Sequence, residues 1–476
     1  MVTVTRPGTG SPGQTAAATG SNDPGRIQDY IDRGLEHLWI HTQQVNDLRK
    51  EGEYTVVESG EGVWLTDIKG QRYIDAMSGL WVVAAGHGRS ELAEVARKQM
   101  LSLPYANPFA YATEPAVDLA TRLAALTPGS LTRTYFVNTG AEAVETAIRM
   151  AKQYQYNRGA RGRYKIISRM GSYHGMTHGA LSVNGGAMIN RAPFEPLLPG
   201  VIQVPNTNGF GELNNARTGL DDVFWADFVE ETIKFQRPET IAAFIAEPIS
   251  TANGCFVPST RYWERIREIC DKYEIVLIAD EVINGFGRTG RWFACEHFGL
   301  EPDIMTMAKQ ISSGYLPIAG VIASDRIASA FEGGKAQAFV GGSTFGAHPV
   351  SCAVSLANID ILERENLVEN SRVVGDYLGE QLEALVSRHR IAAGTRGIGL
   401  MRQVMLMRDP EAGVRFTPED DLAGRMPAIV RAHGLLTRAG DTIAIAPPLV
   451  VSRQEIDDLV DRLDGVISTV EKQIAH

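Results

Sequence analysis

From about residue 80 onward, short apolar runs alternate with stretches whose apolar residues recur every three to four positions. The runs at 134–138, 165–168, 201–204, 241–246, 275–280, 304–308 and 318–323 predict strands. Several are apolar at nearly every position, as strands are when helices cover both faces. The segment 141–156 predicts a helix with Val144, Ile148 and Ala151 on one face. This alternation argues for a mainly parallel α/β sheet. Upstream, 27–46 reads as a helix and loop, and 63–68 with 72–75 as a hairpin around Lys69-Gly70. Downstream, 399–407 predicts a strand, and 435–438 with 442–446 a hairpin around Ala439-Gly440-Asp441. Ser452-Arg-Gln-Glu455 is a capping box; the helix it opens places Ile456, Leu459, Leu463, Val466 and Val470 on one face.

At 476 residues the chain exceeds one small core. The pattern divides it into a tail at 1–24, an N-terminal segment at 25–75, a large α/β domain at 76–345 and a C-terminal part at 346–476. The two outer parts are expected to join as a small α+β domain. Hydrophobic residues at 44% and charged residues at 21% mark an ordinary globular composition. A net charge of −10 argues against a nucleic-acid partner. The four cysteines form no CxxC pair, which argues against structural zinc and a disulfide framework. No stretch reaches the ~20 apolar residues of a membrane helix. Residues 1–24 are rich in Gly, Pro, Thr and Ser and lack a signal-peptide core, so a mobile tail and a cytoplasmic location are expected.

Gly285-Phe-Gly287-Arg-Thr-Gly290 matches the G-x-G-x-x-G of dinucleotide-binding proteins. A dehydrogenase is disfavoured by context. Asp280 and Glu281 would set negative charge where a pyrophosphate should lie, and the residues after Gly290 are bulky. A second reading uses the same strand. Asp280 closes it, and Lys309 follows the next apolar run. Carboxyl ends of parallel strands are where such sheets bind ligands. Pyridoxal phosphate (PLP) needs this pairing, because an amine condenses with its aldehyde while a carboxylate keeps its ring nitrogen protonated. Thr139-Gly140-Ala141-Glu142 joins a strand to a helix in a capping-box pattern and suits an anion. Tyr173 stands in a loop where an aromatic ring could lie on a cofactor; a core role fits it as well. His174 and His178 stand at i, i+4, but no third ligand accompanies them, so a structural or pocket histidine fits better than a metal pair.

Ile278-Ala-Asp-Glu-Val282, Gly285-Phe-Gly-Arg-Thr-Gly290 and Lys309-Gln-Ile-Ser-Ser-Gly-Tyr-Leu-Pro317 together resemble the class III (omega) PLP-dependent aminotransferases. The resemblance spans roughly residues 30–470. It implies the aspartate aminotransferase-like fold (fold type I) and a homodimer, with a tetramer left open. It implies PLP bound to Lys309, with Asp280 at the ring nitrogen and Val282 and Tyr173 on opposite ring faces. Thr139, Gly140 and Ala141 match the phosphate turn, and His174 falls beside the cofactor. Glu247 matches a carboxylate near the phenolic edge, and Thr344 a threonine reaching the neighbouring subunit's phosphate.

Some members carry a glutamate five residues after the one matched by Glu247, paired with a carboxylate-binding arginine. Ala252 stands there, so the resemblance favours the amine–, beta-alanine– and taurine–pyruvate type. In that type Arg438 matches a mobile arginine that binds the keto acid's carboxylate. Trp81, Phe109 and Tyr173 fall in its aromatic pocket, with Trp39 and His41 added from the N-terminal segment. Arg396 matches an arginine near the small-domain hinge and reads as structural. Gln310 departs from a common glycine. The expected reaction moves an amino group from a non-alpha primary amine to pyruvate. The alternatives are a decarboxylase, racemase or aminomutase on the same site, a dehydrogenase, or a non-catalytic binding protein.

Overall fold

A computed structural model describes residues 23–51, 54–186, 190–210 and 213–474. Most of the expected tail, 1–22, lies outside them. Asp23 and Pro24, counted with that tail above, instead start a helix. The Asp23 carboxylate accepts the Gly25 N–H, and Pro24 takes the first position of helix Pro24–His37. The chain forms two compact units, the described part of Met1–Ser59 with Leu65–Arg72, and Gly60–Trp64 with Tyr73–His476.

The larger unit is built on a seven-stranded sheet. Its strands are β1 (Leu131–Val137), β2 (Lys165–Arg169), β3 (Val201–Val204), β4 (Ile241–Ala246), β5 (Val276–Asp280), β6 (Ile304–Met307) and β7 (Ala319–Ser324), in spatial order β1-β7-β6-β5-β4-β2-β3. All seven predicted runs are strands. β2 to β6 run parallel, and β7 lies antiparallel between β6 and β1. Along β5, Val276 and Ile278 enter one apolar cluster, and Leu277 and Ala279 the other. The sheet is therefore dry on both faces, which explains the unbroken apolar runs. Helix Gly140–Asn157 covers one face through Val144, Ala147 and Ala151; helix Thr260–Lys272 covers the other through Trp263, Ile266 and Cys270.

A second sheet holds β8 (Ala392–Ile398), β9 (Met401–Leu406) and β10 (Thr442–Ile445). The predicted 435–446 hairpin is corrected here. Leu435 and Leu436 pair in parallel with Ile74 and Asp75, whereas β10 pairs with β9. Between the two arms the strand pairing is limited to an isolated Ala439–Ile443 bridge among the described residues, with the Thr437 hydroxyl donating to the Ala444 carbonyl. The closing helix Arg453–Ile474 carries its capping box as expected, with Glu455 N–H on Ser452 Oγ and Ser452 N–H on the Glu455 carboxylate. No helix of the described residues is long and apolar enough to cross a membrane.

Cys255, Cys270, Cys295 and Cys352 are all buried and unpaired. Burial pushes the thiols of Cys255, Cys270 and Cys352 up to about 12, and Cys295 well above its usual value. Thiolate is the reactive form. A disulfide-exchange reagent at about pH 8 is expected to label none of the four until denaturant is added; prompt native labelling would contradict this packing.

Candidate active site

Loops beyond the carboxyl ends of β1, β2, β4, β5 and β6 enclose a cleft of about 440 Å³. Its walls include Thr139, Gly140, Ala141, Tyr173, His174, Glu247, Asp280, Val282 and Lys309, all singled out by sequence. Gly175, Met176, Thr177 and Ile283, which were not, complete it.

The helix end comes from the β1 turn. Thr139 caps helix Gly140–Asn157, its Oγ1 accepting the Glu142 N–H at 3.2 Å. The reciprocal arm of the expected capping box is displaced by one residue, because the Glu142 carboxylate accepts the Asn138 N–H at 2.8 Å. A Cβ at Gly140 would fall 2.9 Å from Val282 Cγ1, and one at Gly175 (φ +127°) 2.6 Å from Ala141 Cβ. Glycine therefore keeps the space next to the helix N-terminus open, and free N–H groups with the helix dipole favour an oxyanion there.

At the other end lies a buried chain of charge. Asp280 Oδ2 is 2.7 Å from His174 Nδ1, and Asp280 Oδ1 accepts from Thr306 Oγ1 at 2.9 Å and from the Val282 N–H at 3.1 Å. His174 Nε2 is 3.9 Å from Glu247 Oε2, and neither atom has a hydrogen-bond partner. Glu247 Oε1 accepts the Tyr173 N–H at 3.2 Å and Ser250 Oγ–H at 3.0 Å. Burial alone would depress the His174 pKa. The hydrogen bond to Asp280 and the charges of Glu247 and Asp280 outweigh it, and the net shift is upward. His174 Nδ1 thus lies against the Asp280 carboxyl, which faces the cleft. Thr306 sits opposite Asp280 in the β5–β6 register. Its role follows from strand pairing, and no motif announces it.

Lys309 follows β6 at φ +52°, a left-handed position that costs a non-glycine residue ~1–3 kcal/mol. Its neighbours hold it there. Asn358 Nδ2 donates to the Gln310 and Ile311 carbonyls at 2.9 and 3.1 Å. Gln310 donates to the Ile283 carbonyl at 2.7 Å and accepts from Arg288 Nε at 3.2 Å. Arg288, from the glycine motif, reaches on to the Leu400 and Pro447 carbonyls. Burial pushes its guanidinium down to about 9, the charge of Asp75 opposing. The departure at Gln310 thus has a structural use. Gln310→Ala strands a buried donor and a buried acceptor, and is expected to cost about 1–3 kcal/mol in a denaturant titration.

Burial lowers the Lys309 pKa, and Asp280 opposes this through charge without a hydrogen bond. Burial raises the Tyr173 pKa, as does the charge of Asp280, while Arg438 lowers it. Arg438 therefore lies within electrostatic reach of the cleft, though not in its wall. Three other candidates also lie outside the wall. Trp81 is packed in the core, Phe109 is exposed and sits against Gly342, and Thr344 is exposed with its carbonyl accepting from Tyr105 Oη at 3.0 Å. Trp39 and His41 belong to the N-terminal unit, where both are exposed.

The glycine motif serves packing. A Cβ at Gly290 (φ +84°) would meet Arg372 Cβ at 2.9 Å, and one at Gly287 (φ +93°) Leu449 Cδ1 at 2.8 Å. A short 3-10 turn, Ala294–Phe298, follows where a dinucleotide fold requires a long helix. Buried Glu281 accepts the Ala294 and Cys295 N–H groups at that turn.

A mainly parallel sheet that brings a lysine and an aspartate into one cleft has the architecture of the PLP-dependent enzymes of fold type I. The family model for class III aminotransferases matches residues 42–467. A probable aminotransferase of Mycobacterium tuberculosis is 41% identical over 92% of this chain and 94% of its own. The putrescine–pyruvate aminotransferase of Pseudomonas aeruginosa is 37% identical over 85% and 88%. The crystal structure of an (S)-enantioselective omega-transaminase from Thermomicrobium roseum superposes with a TM-score of 0.88 at 40% identity, covering 93% of this chain and 98% of that one. The chain belongs to the class III aminotransferase family, whose members depend on PLP.

Proposed function

We propose that this aminotransferase moves an amino group from a non-alpha primary amine or omega-amino acid to pyruvate, with PLP in the cleft between Tyr173 and Val282. The observation that carries the reading is the convergence of Lys309 and Asp280 on one small cleft. The residues present suit the cofactor. The Gly140 and Gly175 positions leave room for a phosphate at a capped helix end, and the orphaned His174 Nε2 and Glu247 Oε2 offer polar partners at the ring end. PLP, when bound, supplies an aldehyde and a ring that withdraws electrons from the substrate carbon.

The protein's own groups do the rest. Asp280 holds negative charge toward the ring nitrogen, and His174 and Thr306 keep its carboxylate oriented. Lys309, its pKa lowered by burial, carries the amine that anchors the cofactor and then takes and returns a proton at the substrate carbon. Arg438 pairs with the carboxylate of the keto acid in two parallel hydrogen bonds. Ala252 leaves no carboxylate at the position where other members hold a fixed arginine partner. The putrescine–pyruvate relative supports a donor and acceptor of this kind.

We take the working unit as a homodimer. Leu101, Phe109, Tyr111 and Phe345 are exposed apolar residues of a kind that subunits cover, and Thr344 directly precedes Phe345. In that dimer Thr344 serves the partner's phosphate, and the pocket draws on Trp81 and Phe109. We retain the division at 75/76 and 345/346 as our domain proposal.

Alanine formed from pyruvate, measured across a panel of diamines, omega-amino acids and arylalkyl amines, tests the reading. Amine-dependent alanine with at least one donor class is expected. Carbon dioxide release or racemisation without alanine would replace it with another PLP reaction.

A further inference from the structure

Arg169 stands at the carboxyl end of β2, 1% exposed and among the largest fully buried side chains of the described residues. It lies outside the wall of the active-site cleft. We propose that Arg169 is a positioning residue of this site: it clamps Glu247, and Glu247 in turn sets Tyr173 and His174 against the cofactor. The proposal rests on PLP occupying that cleft, and it adds a residue that touches neither cofactor nor substrate.

Strand geometry delivers the guanidinium. Side chains two apart along a strand share a face. Ile167 packs in the apolar cluster that contains Trp263, so Arg169 enters the layer under helix Thr260–Lys272. Its guanidinium carbon lies 5.5 Å from the centre of the Trp263 ring. The register Ile167–Phe244 between β2 and β4 brings the two strand ends level, and Glu247 is the first residue after β4. Arg169 Nη2 donates to the Glu247 carbonyl and stands 3.6 Å from Glu247 Oε2. One guanidinium therefore holds both the main chain and the carboxylate of the same residue. The next two residues are pinned as well. Trp263 Nε1 donates to the Pro248 carbonyl at 3.3 Å, and the Ile249 N–H donates to Asn284 Oδ1 at 2.8 Å.

The clamp matters because of what Glu247 holds. Its Oε1 accepts the Tyr173 N–H and the Ser250 hydroxyl, and its Oε2 faces His174 Nε2, whose Nδ1 meets Asp280. Among the described residues, Glu247 is the one carboxylate within ion-pair distance of Arg169. The Arg169 charge also reaches His174, opposing the upward pull of Glu247 and Asp280 on its pKa. A buried ion pair adds little net stability, because desolvation of both charges offsets their attraction. Its effect here is geometric. A planar fork with fixed donor directions restricts the orientations open to Glu247. Without the fork, the segment that carries Tyr173 and His174 loses a fixed anchor.

Spectrophotometric titration of the cofactor-free full-length chain with PLP, and the visible circular dichroism of the loaded chain, test this without turnover. Arg169→Met keeps an apolar stem against Trp263 and removes the charge and the donors. Its PLP affinity is expected to fall about tenfold or more, with a weaker cofactor dichroism band. Arg169→Lys keeps the charge and loses the fork, and is expected to fall between Arg169→Met and the parent. Glu247→Gln is expected to lose affinity by itself, and adding Arg169→Met to it to cost less than ~threefold more. A merely structural role would lower the melting temperature of the cofactor-free chain and leave the affinity and dichroism of the folded protein unchanged, which overturns the proposal. Losses that simply multiply in the double variant also overturn it, because Arg169 would then act without Glu247. If Arg169→Met does not fold, Arg169→Lys takes its place in the same cycle with Glu247→Gln. A parent that binds PLP but forms no alanine overturns the substrate reading alone, since every comparison here is of cofactor binding. A parent that binds no PLP overturns both.

Discussion

Lys309→Ala is expected to reduce kcat/KM for amine–pyruvate transfer by about 10³–10⁴-fold while the chain stays folded. Two functions are lost together. The amine that anchors the cofactor is gone, and so is the base positioned at the substrate carbon. The fold should tolerate the change, because Lys309 Nζ engages Asp280 by charge alone and the turn is held through Gln310 and Asn358. Removing a side chain at φ +52° does not relieve the backbone, since alanine meets the same constraint. The melting temperature of the cofactor-free variant is therefore expected to stay close to that of the cofactor-free parent. Turnover within tenfold of the parent would refute the assignment (about 1.4 kcal/mol on the barrier).

Asp280→Asn is the second large effect, with an expected loss of about 10²–10³-fold in kcat. The shape is kept and the charge removed. Asparagine can still accept from Thr306 through its carbonyl oxygen, but it brings no charge to the contact with His174. The ring nitrogen loses the group that favours its charged state. The pH profile gives a second reading. The Asp280 charge raises the Lys309 pKa against burial, so its removal lowers the pKa of that amine further, and the pH midpoint for amine labelling of Lys309 in the cofactor-free chain moves to lower pH. A drop in rate with an unmoved labelling midpoint would mean that Asp280 acts structurally.

The strand core and most of the cleft were legible in the sequence for a definite physical reason. Strands covered on both faces must be apolar throughout, so a polar residue at the end of such a run stands out. Asp280 after Val276–Ala279 and Lys309 after Ile304–Ala308 are such residues, and parallel pairing brings their ends together. Thr306 was not legible, because its contact with Asp280 depends on strand register. The polarity of the Glu247–His174–Asp280 chain was hidden for the same reason, as its members come from three strands' loops. The 435–446 segment misled because two apolar runs around Ala-Gly-Asp look like a hairpin. Which partner each run takes is decided by Ile74 and by β9, far away in sequence. Aromatic residue type was the weakest guide. Trp81 is packed inside and Phe109 exposed, and nothing local in the sequence distinguishes them.

Borohydride reduction of the chain loaded with PLP, followed by proteolysis and mass spectrometry, tests the central claim most directly. The account predicts a phosphopyridoxyl group on the peptide that contains Lys309 and on no other, with labelling lost in Lys309→Ala. Modification at a different lysine, or none at all in a chain that binds the cofactor, would contradict it.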